Sequence, residues 1–98
     1  MSTRAIPRYE LLPEGIQYVA DSDPDSLRKR NGHPNVSAIA RAASINKSAF
    51  SRVVNGTRPW TGYGTVRRVS GVAAKARNIS IEEAERMIFA PIEDAVAA

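Results

Sequence analysis

Apolar residues recur at helical spacing along most of this chain, and capping or breaking residues bracket each run. Ile16, Val19 and Ala20 stand at i, i+3 and i+4. Pro13 and Glu14 before them suit a first helical turn, because proline fixes φ and the acid complements the helix dipole. This predicts a short helix ending near Asp21. Asp23-Pro24-Asp25-Ser26 is a second start signal leading into Leu27, and Asn31-Gly32-His33-Pro34 is a strong stop. The pattern leaves open whether 14–30 is one kinked helix or two pieces. Asn35 can cap the next helix, with Val36, Ile39, Ala40 and Ala43 on one face and Ser44 at its end. Asn46 can cap another, with Ala49, Phe50, Val53 and Val54 apolar. Asn55-Gly56 stops it, since both residues tolerate the left-handed conformation.

Thr57 to Gly64 reads as a loop in which a lone Trp60 is expected to pack over the core. Thr65 is the predicted cap of a longer helix carrying Val66, Val69, Ala73 and Ala76, which Asn78 breaks. Ser80-Ile81-Glu82-Glu83 is a capping box, and its helix turns Ala84, Met87 and Ile88 inward. Pro91 ends the compact part. No strand-like alternation or internal repeat is present. The expected fold is all-α: a compact bundle of about five short helices over 13–90, after a flexible basic arm (1–12) and before a short tail (91–98).

At 98 residues the chain makes one small domain. It has no cysteine, hence no disulfide, thiolate ligand or thiol nucleophile. No apolar run approaches the roughly 20 residues that cross a bilayer. Met1 to Ile6 lacks the apolar core of a secretion signal, so a cytoplasmic, nucleoid-associated location is expected. His33 has no His or Cys partner with which to build a zinc site, and no metal, cofactor or small-molecule ligand is expected. Nothing matches a nucleophile elbow or a phosphate-cradling glycine loop, and Tyr9, Tyr18 and Tyr63 lack the surroundings of phosphate-attacking tyrosines. An enzyme is not expected.

Charge changes the picture most. Between Ser26 and Ile81 lie eleven Lys or Arg residues and no Asp or Glu. Residues 78–98 carry Arg86 against Glu82, Glu83, Glu85, Glu93 and Asp94. A basic body with an acidic end directs the body at a polyanion.

Inside the basic span, Val36 to Asn55 predicts two short helices meeting at a tight corner. Ala40 and Ala43 allow close crossing, while Ile45, Phe50 and Val53 wedge the second helix in place. Asn46, Lys47, Ser48, Ser51 and Arg52 then point out together: amide, ammonium, hydroxyl and guanidinium, all able to bond base edges or phosphates. The run from Ser37 to Gly56 resembles the helix-turn-helix of the Cro and lambda-repressor family. Thr57-Arg58-Pro59 and the later Ile79-Ser80-Ile81-Glu82-Glu83 are similar to that family's usual continuation. The resemblance covers about residues 35–90, with Ala40, Ile45, Phe50, Val53 and Asn55-Gly56 agreeing in register. Two features depart from it: the corner, glycine in most members, is Ser44, and segment 21–34 is longer than the usual link.

The resemblance implies that Asn46, Lys47, Ser48, Ser51 and Arg52 face bases in the major groove. It places Ser37, Asn55, Thr57 and Arg58 on the DNA backbone, with Arg4 and Arg8 as candidate arm contacts. Arg41, Arg67, Arg68, Lys75 and Arg77 are basic without a comparable assignment. The expected function is sequence-specific binding of double-stranded DNA by a transcriptional regulator, such as a phage Cro-type or immunity repressor that occludes an operator. The alternatives are an antitoxin whose 91–98 tail engages a toxin, and a protein-interaction module that has lost DNA binding. Met87, Ile88, Phe89 and Ile92 are the candidate apolar patch for a homodimer, or else complete the monomer core.

Overall fold

The computed structural model describes residues 8–92. In chain order its elements are β1 (Tyr9–Leu11), α1 (Gly15–Ser22), α2 (Pro24–Leu27), α3 (Val36–Ala42), α4 (Lys47–Val54), α5 (Tyr63–Arg77), α6 (Ile81–Ile88) and β2 (Phe89–Pro91). The protein is mostly helical, with six helices among the described residues. Three helix starts are set by the capping side chains read from sequence. Asn35 accepts from the Ala38 N–H at 3.1 Å, Asn46 from the Ala49 N–H at 2.9 Å, and Ser80 from the Glu83 N–H at 3.1 Å. Each bond satisfies one orphan donor of a first turn.

Locally, one open point is resolved and two expectations are corrected. Residues 14–30 form two helices, because Asp23 leaves helical geometry at φ −149° and ψ 75°. Beyond them Arg28 pairs with Pro34 in an isolated bridge, with Gly32 in the left-handed region, so Lys29 and Arg30 stand on an exposed loop. Helix α5 starts at Tyr63, with Gly62 as the capping residue, rather than at Thr65. Finally, Ala76 and Met87, assigned inward by spacing, are exposed; Ser70 and Ala74 take the inward positions of α5 instead.

Two strands qualify the all-α expectation. β1 pairs with β2 antiparallel, Tyr9 opposite Pro91 and Leu11 opposite Phe89. Each strand is three residues long, too short for alternation to register as a pattern. Tyr9 also exchanges both backbone bonds with Thr61, at 2.9 and 2.8 Å. The expected arm therefore enters a small sheet from residue 9 onward, and Pro91 belongs to that sheet instead of ending the compact part. Residues 1–7, including Arg4, and 93–98 of the tail lie outside the described residues.

The core gathers Val19, Leu27, Ile39, Phe50, Val66, Val69, Ile88 and Phe89, all buried. Helix α5 packs along α6 and against α1 and α3. Burying a side chain such as Phe50 contributes about 1.5–3 kcal/mol, which is how α4 is held although it is only 8 residues long. At Gly15 the start of α1 lies directly on the carbonyl of Ile88, and a Cβ there would collide with that oxygen. Ile88 and Phe89 complete the monomer core, leaving Met87 (52%) and Ile92 (36%) as the exposed members of the expected dimer patch.

Candidate nucleic-acid interface

Helix α4 has two chemically distinct sides. Phe50 and Val53 are buried, with Ala49 and Val54 half-buried beside them. Lys47, Ser48 and Arg52 are exposed and Ser51 is half-buried. Since residues three and four apart share a helix face, Ser48, Ser51 and Arg52 form one stripe, with Lys47 alongside Ser51. Asn46 is exposed, but its amide oxygen is already committed to the Ala49 N–H, which leaves the amide N–H₂ for any outside acceptor. Asn55 is similarly engaged: its side-chain oxygen accepts from the Thr57 N–H at 2.9 Å, shaping the loop after α4.

The corner between α3 and α4 is made by Ser44 at φ +56°. Its carbonyl accepts from the Arg68 guanidinium at 2.9 Å, and the Ile45 N–H donates to the Ala40 carbonyl at 3.0 Å. A groove of about 460 Å³ opens between this corner and the start of α5, lined by Asn46, Phe50, Arg58, Thr61, Thr65 and Arg68 among others. Ser37 sits half-buried in the first turn of α3; Thr57 and Arg58 are exposed in the loop. The backbone N–H of Arg58 donates to the Arg52 carbonyl at 3.0 Å, so this loop folds back on the last turn of α4.

The eleven-cation run divides into two groups. Arg28 pairs with Asp21 and donates to the Gly32 carbonyl at 2.6 Å. Arg67 pairs with Glu82 at 3.0 Å. That exposed pair, together with a hydrogen bond to Tyr63, raises Arg67 above its ordinary value, while Glu82 is lowered first by its own backbone N–H and then by Arg67. Arg77 donates to the Ser22 hydroxyl and the Tyr18 carbonyl at 2.8 and 3.0 Å, its guanidinium over the Tyr18 ring. It thus closes the C-terminal end of α1. With Arg68 these are framework residues. Lys29, Arg30, Arg41, Lys47, Arg52, Arg58 and Lys75 make no ion pair among the described residues.

Trp60 departs from expectation. It is half-buried but lies outside the core cluster, and its ring is faced by the Arg8 and Arg58 guanidiniums. An aromatic residue interleaved with Arg58 was the one available signal for this group; the approach of Arg8 depends on the strand pairing and left no trace in the sequence. His33 is exposed, and no cluster of metal-ligating side chains occurs among the described residues. Among the described residues no helix is long and apolar enough to cross a membrane.

Compared with protein-family models, with curated proteins and with solved structures, the chain finds no match in any of the three.

Proposed function

We propose that this protein binds double-stranded DNA sequence-specifically and regulates transcription, with α3, the Ser44 corner and α4 acting as a helix-turn-helix. The observation that carries the reading is α4 itself. A helix fixed by Phe50 and Val53 turns Lys47, Ser48 and Arg52 to solvent, in a span without one carboxylate from Ser26 to Ile81. A rigid rod of this kind fits the major groove, where its guanidinium, ammonium and hydroxyl groups meet donor and acceptor patterns that differ for each base pair. Lys47, Arg52 and Arg58 supply general affinity for phosphate, and the Asn46 to Arg52 stripe supplies discrimination. Among the described residues this face is the candidate reading surface, which supports regulation by occlusion of an operator, as in a compact phage repressor.

Selection of bound fragments from genomic DNA gives the site, and fluorescence anisotropy gives the affinity. Arg52→Ala then costs about 1–3 kcal/mol and relaxes preference at one base position. Unchanged binding and unchanged preference would remove α4 from the interface. Sedimentation of the free protein and of the complex shows whether one copy or two occupy the site.

A further inference from the structure

Two guanidinium groups converge on one indole. The guanidinium carbon of Arg58 lies 4.6 Å, and that of Arg8 4.9 Å, from the centroid of the Trp60 ring. They come from distant parts of the chain: Arg8 directly precedes β1, whereas Arg58 and Trp60 belong to the loop after α4. The paired backbone bonds between Tyr9 and Thr61 hold the two segments together. Both arginines are exposed, and neither makes an ion pair among the described residues. Two like charges held at one ring repel each other, and the repulsion adds to the attraction of the site for an anion. An anion resting against both forks removes the repulsion.

Trp60 does not pack on the core, so core formation does not account for its place. A ring already approached by two guanidiniums, at 4.6 and 4.9 Å, is also poorly placed to stack on a base. Its physical effect is to hold two planar forks in fixed positions, and such forks match phosphate oxygens.

We infer that Arg8, Arg58 and Trp60 form a phosphodiester clamp that grips the sugar-phosphate backbone of duplex DNA beside the groove entered by α4. The inference rests on the reading of α4 proposed above. A polynucleotide is the source of the phosphate because the clamp adjoins the end of α4, its loop bonded to the Arg52 carbonyl, with Arg58 and Trp60 inside the carboxylate-free span. Arg8 and Arg58 touch the phosphate; Trp60 is a positioning residue.

Trp60 is the chain's single tryptophan, so its emission reports on the clamp alone. Saturating duplex of any sequence changes that emission, and inorganic phosphate at matched ionic strength does not. The double variant Arg8→Ala/Arg58→Ala binds every duplex about tenfold more weakly and flattens the salt dependence by about 1–2 in log–log slope. Trp60→Leu weakens binding although it removes no charge, and Trp60→Phe restores most of the affinity; circular dichroism melts check that each variant is folded. The clamp is overturned if duplex binds with Trp60 emission unchanged, if the double variant keeps the wild-type salt slope, or if inorganic phosphate gives the same response. It is overturned together with the reading of α4 if the wild type binds no duplex. Loss of affinity in the clamp variants, with Arg52→Ala leaving sequence preference intact, upholds the clamp and removes only α4's reading role.

Discussion

Arg68 on α5 donates to the carbonyl oxygen of Ser44 at 2.9 Å, reaching back 24 residues to the corner between α3 and α4. Ser44 holds a left-handed backbone, φ +56°, which costs a residue with a Cβ about 1–2 kcal/mol. The angle that sets α4 against α3 is thus maintained at a local cost and braced from a third helix.

Ser44→Gly should therefore raise stability. Relief of the left-handed strain exceeds the added chain entropy of glycine, about 0.5–1 kcal/mol, and leaves a net gain of about 0.5–1 kcal/mol. Arg68→Met, which frees the carbonyl to solvent, should lower stability by about 1 kcal/mol. Urea midpoints at constant m-value measure both.

Gly15→Ala should destabilise the protein by about 1–3 kcal/mol, because the new methyl meets the Ile88 carbonyl that already accepts the Leu12 N–H at 2.9 Å. Thermal melting reads the loss. An unchanged melting temperature would mean that α1 and α6 can slide apart freely.

Asn46 holds a cap and faces solvent at once, and two substitutions separate these roles. Asn46→Ala removes the cap and costs about 1 kcal/mol of stability. Asn46→Ser keeps an accepting oxygen, so stability is retained while the amide donors are lost. Weaker or less selective DNA binding by the Ser variant at full stability assigns the amide to recognition. Unaltered binding makes Asn46 a capping residue alone.

Glu82 titrates below the usual carboxylate range, held by its own backbone N–H and then by Arg67. The unfolded chain therefore takes up this proton at a higher pH than the folded protein does. The stabilising effect is complete above the ordinary glutamate value of about 4.3 and fades as pH falls through the lower folded value. Glu82→Gln should lie slightly below wild type in urea midpoint at neutral pH and converge with it in acid. Both partners are exposed, so the difference is small.

What could be read from the sequence was what short-range rules control. Asn35, Asn46 and Ser80 cap the helices they were expected to cap, because a capping bond spans three residues. Ile39, Phe50, Val69 and Ile88 are buried where helical spacing placed them. Several of the misses depend on distant partners. β1 exists only through residues near 61 and 90, Met87 is exposed because neighbouring elements leave it uncovered, and Arg77 is occupied by the end of a helix 55 residues earlier. The solvent-facing stripe of α4 was legible because Phe50 and Val53 orient it; the pairing of Arg8 with Trp60 was not.

The Ile92 N–H donates to the Arg8 carbonyl at 2.9 Å, and next to it Tyr9 lies opposite Pro91, so Arg8 and Ile92 sit side by side at one end of the antiparallel seam. Tension applied at Arg8 and Ile92 would load the bonds of this seam one after another, as in peeling tape, instead of all at once as in shear. The seam would open at low force with the helical body still whole. Arg8 would be drawn off Trp60 before any helix unravels, which makes this corner a mechanical fuse for the grip assigned to it.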